Sequence, residues 1–239
     1  NGNFVVTYES IIPNLVCLRN YKSLLQEFWK EGLFDPMDLR YFRLINRAPN
    51  LKEEINWHVI GSYDPYESFS KIFNGSNVGK EAYFDKMTHF DFKTLLPALL
   101  QVEDRMSMAH GLESRVPLLD HEVVEFAATI PADIKFKNGE MKRLLKTAFS
   151  DILPTEVIQR RDKMGFPVPL NEWLNKELRN LLIDIFSLNI TRDIFNKEKI
   201  LENINSESKF GRKIWGLLSL EIWYQEFVDK LLNFRKLIN

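Results

Sequence analysis

Between Asp104 and Lys163 the chain interleaves charge with glycine, proline and small apolar residues, a mixture that core packing alone does not explain. Asp104, Arg105, Glu113, Arg115 and Asp120 place both signs of charge within seventeen positions. Two chemistries are open to such a set. Carboxylate–guanidinium pairing can pin a tight loop, the reading that suits Glu113, Arg115 and Asp120. Charged groups near a helix end can orient or brace a polar substrate, the reading that suits Asp104 and Arg105. Lys142 follows the turn Lys137-Asn138-Gly139 and is expected in the first turn of a helix. A helix N-terminus carries partial positive charge and free N–H groups, so a lysine there adds nothing to the helix. It gains a use if ammonium and dipole face one anion, such as a phosphate; otherwise it is a solvated surface lysine. Arg160, Arg161 and Lys163 form a second basic cluster ahead of Gly165 and Phe166. They can collect an anion on a bent loop, or pair with Asp162 and Glu156.

Other chemistries are poorly served. His58, His89, His110 and His121 are scattered, with no His or Cys pair at ligand spacing, so no metal site is expected. There is no serine nucleophile elbow and no Cys/His catalytic signature. The single cysteine, Cys17, sits among Leu15, Val16 and Leu18 and reads as a buried apolar residue. One cysteine permits no intramolecular disulfide, which fits a reducing compartment, and a cytoplasmic location is expected. No apolar run reaches the ~18 residues of a membrane span. A net charge of −1 gives no global attraction to nucleic acid or anionic lipid. With 10 glycines in 239 residues, a phosphate-cradling glycine loop is not expected. The opening Asn1-Gly2-Asn3-Phe4 has neither an initiator Met nor a signal-peptide pattern, and the chain reads as a piece of something longer.

The elements that must carry these residues are helical. Phe4–Tyr8 could form a short strand, and a helical period runs from Lys22 to Gly32. Residues 35–60 hold apolar positions broken at Pro49-Asn50, and a weaker helix follows through Trp57 and His58. Gly61–Gly79 is turn-rich and reads as mixed helix and loop at the surface. Thr94 is expected to cap a helix that carries Leu99, Leu100, Val102 and Met106 and stops at Gly111. Asp104 and Arg105 then lie near its C-terminal end. Asp120 is the expected N-cap of a helix closed by Pro131. A short helix begins at Pro154-Thr155 and an irregular loop spans 162–170. Asn171 is expected to cap one long helix through Ile185, with further helices around 197–205 and 212–237. Strand alternation is nowhere sustained and repeated strand–helix pairs are missing, so all-β and doubly wound folds are excluded. The expectation is a mainly α, single helical domain over 1–239.

Read for motifs, the same stretch resembles the synthetase domain of the asparagine synthase (glutamine-hydrolysing) family. Asp91-Phe92-Lys93-Thr94-Leu95-Leu96-Pro97 resembles the family's lead-in. The signature is Asp104-Arg105-x-Ser107-Met108-Ala109 followed by Gly111-Leu112-Glu113-x-Arg115-x-Pro117-x-Leu119-Asp120. Gly139-x-x-Lys142-x-x-Leu145-Lys146 and Arg161-x-Lys163-x-Gly165-Phe166-x-x-Pro169-x-x-x-Trp173-Leu174 follow in the family's order. The likeness is strongest over residues 80–180, and residues 1–75 diverge.

The resemblance implies the helical C-terminal portion of an adenine-nucleotide α-hydrolase-like (ATP pyrophosphatase) synthetase domain, with the parallel-sheet nucleotide-binding half mostly absent. It implies that ATP and Mg2+ adenylate the aspartate side chain, and that ammonia from glutamine then gives asparagine, AMP and pyrophosphate. On this resemblance Lys142 is the catalytic lysine at the α-phosphate. Arg161 and Lys163 are candidates for phosphate contact, and Asp104, Arg105, Glu113, Arg115 and Asp120 line or brace the pocket. The implied partners are aspartate, ammonia, the glutaminase and nucleotide-binding parts of the same chain, and a second copy in a homodimer. The sequence departs from the pattern in lacking a catalytic first-residue Cys and a Ser-Gly-Gly-x-Asp-Ser pyrophosphate loop. The fragment alone is therefore expected to be inactive. The alternatives are an amide-forming relative (a β-lactam synthetase, a lasso-peptide cyclase or a surface-polysaccharide amidotransferase) and a non-catalytic helical interaction module.

Overall fold

The computed structural model describes residues 32, 34–135, 142–160, 168–187, 192–204, 212–231 and 235. The expected strand at Phe4–Tyr8, the helix from Lys22, Cys17, Arg161 and Lys163 all lie outside these residues. In chain order the helices are α1 (Met37–Ile45), α2 (Trp57–Ile60), α3 (Pro65–Phe73), α4 (Tyr83–Lys93), α5 (Leu95–Met108), α6 (His121–Thr129), α7 (Ala132–Lys135), α8 (Arg143–Ala148), α9 (Thr155–Gln159), α10 (Leu170–Asn175), α11 (Arg179–Ser187), α12 (Lys197–Asn203) and α13 (Lys213–Tyr224). Short 3-10 turns occupy Ala48–Leu51 and Pro117–Leu119, and a π-helical turn, Gln225–Asp229, extends α13. Strand pairing among the described residues is confined to an isolated antiparallel bridge between Ile55 and Phe195. The protein is mainly α, as its apolar periodicity predicts.

The chain divides into two compact units, Asn1–Ile45 with Asp64–Gly165, and Asn46–Tyr63 with Phe166–Asn239. The first is built around aromatic rings. Asp64 caps α3 by accepting from the Tyr66 amide at 2.8 Å, and Pro65 supplies the fixed φ of a first helical position. The cap sets Phe69 and Phe73 four residues apart on one face, where both are buried. Tyr41 of α1 stacks on Phe73 at 5.4 Å, and Phe90 of α4 meets Phe69 at 5.0 Å. The Tyr41 hydroxyl donates to Asp91 at 3.0 Å. Burial, then the charge and hydrogen bond of Asp91, hold that phenol well above the ordinary tyrosine range. The stretch 61–79, expected at the surface, thus supplies the deepest rings of this unit.

The second unit packs Leu174, Leu182, Phe186, Ile200, Ile204, Ile214, Leu217 and Leu218 into one apolar cluster. Asn171 does not cap a long helix. It lies inside α10, and its carbonyl accepts from the Asn175 amide group at 2.7 Å. The Leu178 amide then closes back on the Trp173 carbonyl at 2.7 Å, which ends α10 and lets α11 start separately. Around Glu54 the chain forms a buried polar knot. Its Oε1 accepts from Lys213 Nζ at 2.6 Å and Asn203 Nδ2 at 2.8 Å, and its carbonyl accepts from the Asn196 amide at 2.9 Å. Arg192 donates to Glu221 at 2.6 Å, forks onto Asp229, and lies 4.6 Å over the Tyr224 ring.

Candidate functional site

The first unit carries the described residues singled out by their chemistry. α5 begins at Leu95, with Thr94 in the cap position, but the Thr94 hydroxyl donates backwards to the Phe90 carbonyl at 2.7 Å and caps nothing ahead. The expected Thr94 cap is therefore corrected: satisfying the last turn of α4 competes with capping α5, and the backward bond wins. At the other end Gly111 takes φ +67°, and the Leu112 amide reaches back to the Ser107 carbonyl at 3.0 Å. Left-handed glycine followed by this long-range return is the stop that the sequence predicts.

Asp104 and Arg105 ride on the last turns of α5 with exposed side chains. Neither side chain makes a hydrogen bond or ion pair among the described residues. The loop beyond is fastened to the same helix through Ser114, whose hydroxyl donates to Glu103 Oε1 at 3.1 Å. Glu113 and Arg115 pair with each other at 2.9 Å, but at 68% and 79% side-chain exposure solvent screens the pair to under about 1 kcal/mol. Asp120 Oδ1 accepts from the Glu122 amide at 2.9 Å and caps α6. Of these contacts, the Asp120 cap fixes the start of α6, and the Glu113–Arg115 pair lies on the exposed surface of the loop.

Lys142 stands one position ahead of α8 rather than inside its first turn. Its φ of +57° makes it the left-handed non-glycine residue among those described. Holding a side-chain-bearing residue there costs of order 1–3 kcal/mol, and such residues cluster at functional sites. The left-handed turn is what moves the helix start: the Lys142 carbonyl accepts from the Lys146 amide at 3.0 Å, while its own backbone is non-helical. Its ammonium is exposed and has no hydrogen bond or ion pair among the described residues.

Two contacts that the sequence does not disclose fix the surroundings of Lys142. Lys146, one turn further along α8, donates to the Arg160 carbonyl at 3.0 Å and ties the end of α9 to α8. Arg143 donates to the Ile134 carbonyl at 3.0 Å and ties α8 to α7. A lysine or arginine facing away from the apolar stripe is indistinguishable in sequence from a solvated one, so only the chain path reveals these bonds. Among the described residues no hydrogen bond or ion pair joins Asp104 or Arg105 to Lys142. No group of His, Cys, Asp and Glu among the described residues is arranged to hold a metal ion.

The family model described as asparagine synthase matches residues 9–225. The glutamine-hydrolyzing asparagine synthetase 1 of Bacillus subtilis is 32% identical over 195 residues, 79% of this chain and 31% of its own length. A putative glutamine-hydrolyzing asparagine synthetase of Mycobacterium tuberculosis is 33% identical over 150 residues, 60% of this chain and 23% of its own length. The human glutamine-hydrolyzing asparagine synthetase is 31% identical over 123 residues, 47% of this chain and 22% of its own length. The chain thus spans about a third or less of the curated relatives it matches, 31% in the Bacillus case. No solved structure matches it. With the family match extending over most of its length, this chain belongs to the asparagine synthase family.

Proposed function

We propose that this chain is the helical part of a glutamine-hydrolysing asparagine synthetase and supplies one wall of its adenylation site. The observation that carries this reading is Lys142: an exposed ammonium without a partner among the described residues, on a left-handed backbone, at the position of the family's lysine motif. In the proposed reaction an aspartate side-chain carboxylate attacks the α-phosphate of ATP and expels pyrophosphate. Ammonia released from glutamine then displaces AMP from the aspartyl-adenylate and leaves asparagine.

Negative charge gathers on the α-phosphate oxygens as the carboxylate attacks. A fixed cation at that point stabilises the transition state more than the ground state, which lowers the barrier. Lys142 is the residue assigned to it. Arg161 and Lys163, known here from sequence alone, are second candidates for the phosphate and pyrophosphate oxygens. Asp104 and Arg105 face the substrate at the end of α5, and Glu113, Arg115 and Asp120 hold the loop beside them. Magnesium accompanies the ATP phosphates. Among the described residues no group of His, Cys, Asp and Glu is arranged to ligate it. A cytoplasmic location, homodimerisation and an inactive isolated chain belong to the same proposal.

The test is ATP–pyrophosphate exchange with aspartate. The 239-residue chain alone is expected to show none. In a synthetase containing this chain, Lys142→Ala should lower exchange by more than tenfold, a barrier increase above about 1.4 kcal/mol. Exchange by the isolated chain, or a Lys142→Ala effect below tenfold, would overturn the assignment. Offering other carboxylic acids beside aspartate tests the acceptor.

A further inference from the structure

Two lysines and a histidine line one cleft where α3 and α4 pack on each other. Lys71 lies in the last turn of α3, and His89 and Lys93 stand four residues apart on one face of α4. The turn Gly75-Ser76-Asn77, just after α3, lines the rest. The open cleft measures about 580 Å³, within the ~300–1,000 Å³ of small-molecule sites. None of the described aspartates and glutamates lines it. Gly75 keeps part of it clear: a Cβ there would meet Asn77 Oδ1 at 3.1 Å and His89 Nε2 at 3.4 Å.

Lysines near helix C-termini ordinarily offset the helix dipole, and that accounts for Lys71 and Lys93 taken singly. It does not account for what stands between them. The side chains of Ser76, Asn77, His89 and Lys93 make no hydrogen bond or ion pair among the described residues, although His89 is half-buried. The Ser76 and Asn77 amides likewise donate to no backbone carbonyl there. Lys71 pairs with Glu67 at 2.7 Å, but exposures of 72% and 67% leave that pair weak enough for the lysine to turn to another anion.

We propose that this cleft binds the phosphate group of a small phosphorylated molecule. Lysine holds phosphate as a point charge, and Coulomb attraction doubles for a dianion over a carboxylate. Bidentate capture of a carboxylate calls for the planar fork of arginine, which does not line the cleft. No residue of the cleft enters the adenylation reading, so the two stand or fall separately.

The test follows the His89 ring protons of the 239-residue chain by NMR at fixed pH. Inorganic phosphate, AMP or ribose 5-phosphate is added, with potassium chloride at matched ionic strength as the control. His89 and the Ser76 and Asn77 amides should shift together and saturate with a millimolar dissociation constant, and chloride should not reproduce the shifts. Lys71→Gln with Lys93→Gln should weaken binding about tenfold, equivalent to ~1.4 kcal/mol, and each single variant by less. Both lysines are exposed, so circular dichroism should match the parent. Equal affinity for the three ligands assigns the site to the phosphate group alone, and tighter binding of AMP assigns it to a nucleotide; either supports the proposal. Shifts that do not saturate, that chloride reproduces, or that survive unweakened in the double variant overturn it. Loss of the His89 shifts in Lys142→Ala places the phosphate at Lys142 instead and overturns it equally.

Discussion

Lys213 Nζ lies 2.6 Å from Oε1 of Glu54, a residue with 1% of its surface exposed, and the two are 159 positions apart in the chain. Burial alone would push the Glu54 carboxyl up. The hydrogen bonds from Lys213 and Asn203, with the charge of Lys213, outweigh it and hold the carboxyl below its ordinary range. A depressed carboxylate contributes stability above its unfolded-state value and loses it as pH falls through the folded one. Glu54→Gln should therefore destabilise the second unit by about 2–4 kcal/mol at pH 7, because it strands the lysine and removes a charge-assisted bond. The gap between parent and variant should close on acidification below about pH 4.5. Urea denaturation of both proteins from pH 7 to pH 3 checks the size and the sign.

Arg192 should prove less replaceable than its modest exposure indicates. One guanidinium serves Glu221, which is buried, forks onto Asp229 in the π-helical turn, and covers the Tyr224 ring. Lysine can meet one carboxylate as a point charge but cannot form the fork or the flat stack. Arg192→Lys should cost about 1–2 kcal/mol, and Arg192→Ala about 3–5 kcal/mol, since the second leaves a buried carboxylate unpaired. Chemical denaturation midpoints of the two variants test the ordering, and equal losses would show that the fork contributes nothing.

The helical class and many helix positions are legible in the sequence because they depend on local signals. Gly111 needs no side chain to turn left-handed, Asp120 caps within two residues, and the apolar spacing of α13 is its own record. What fails depends on competition or on distance. Thr94 has two carbonyl and amide sets to choose from and takes the nearer helix end. Asn171 is a good cap by type, yet the side chain of Asn175 folds onto it. Phe69 and Phe73 are concealed among turn residues because Asp64 and Pro65 read as loop until their capping bond is seen. Of the candidate site, the residue types and order are legible. The left-handed backbone of Lys142, and the bonds of Arg143 and Lys146 that tether α8, are not.

Phe73 and Lys86 make opposite predictions although both are buried. Phe73 stacks against Phe69 at 5.0 Å and Tyr41 at 5.4 Å, with the Lys86 ammonium 5.7 Å from its ring centroid. Phe73→Ala should cost about 3–5 kcal/mol through lost transfer energy and a residual cavity. The Lys86 ammonium donates to Asn74 Oδ1 at 2.7 Å, and Asn74 is itself exposed. Lys86→Met keeps the packing of the stem and leaves Asn74 to water, so it should be neutral or stabilising. Thermal melts of the two variants decide the matter, and a large loss in Lys86→Met would show that the ammonium and not its stem holds the first unit together.

Replacing Lys142 with glycine should move stability and activity in opposite directions. A side chain at φ +57° carries an energetic cost that glycine does not, so Lys142→Gly should stabilise the first unit by up to about 1 kcal/mol. Lys142→Ala keeps the cost and should leave stability within about 0.5 kcal/mol of the parent. Both variants remove the ammonium, and both should lose adenylation alike in a synthetase that contains the chain. A residue kept for stability would behave otherwise, with the glycine variant no more stable than the alanine one and exchange unaffected in both. Denaturation midpoints and ATP–pyrophosphate exchange on the same preparations separate the two cases. If glycine stabilises and exchange falls, the left-handed turn persists because it aims a cation, at a cost to the fold that an idle lysine would have no reason to carry.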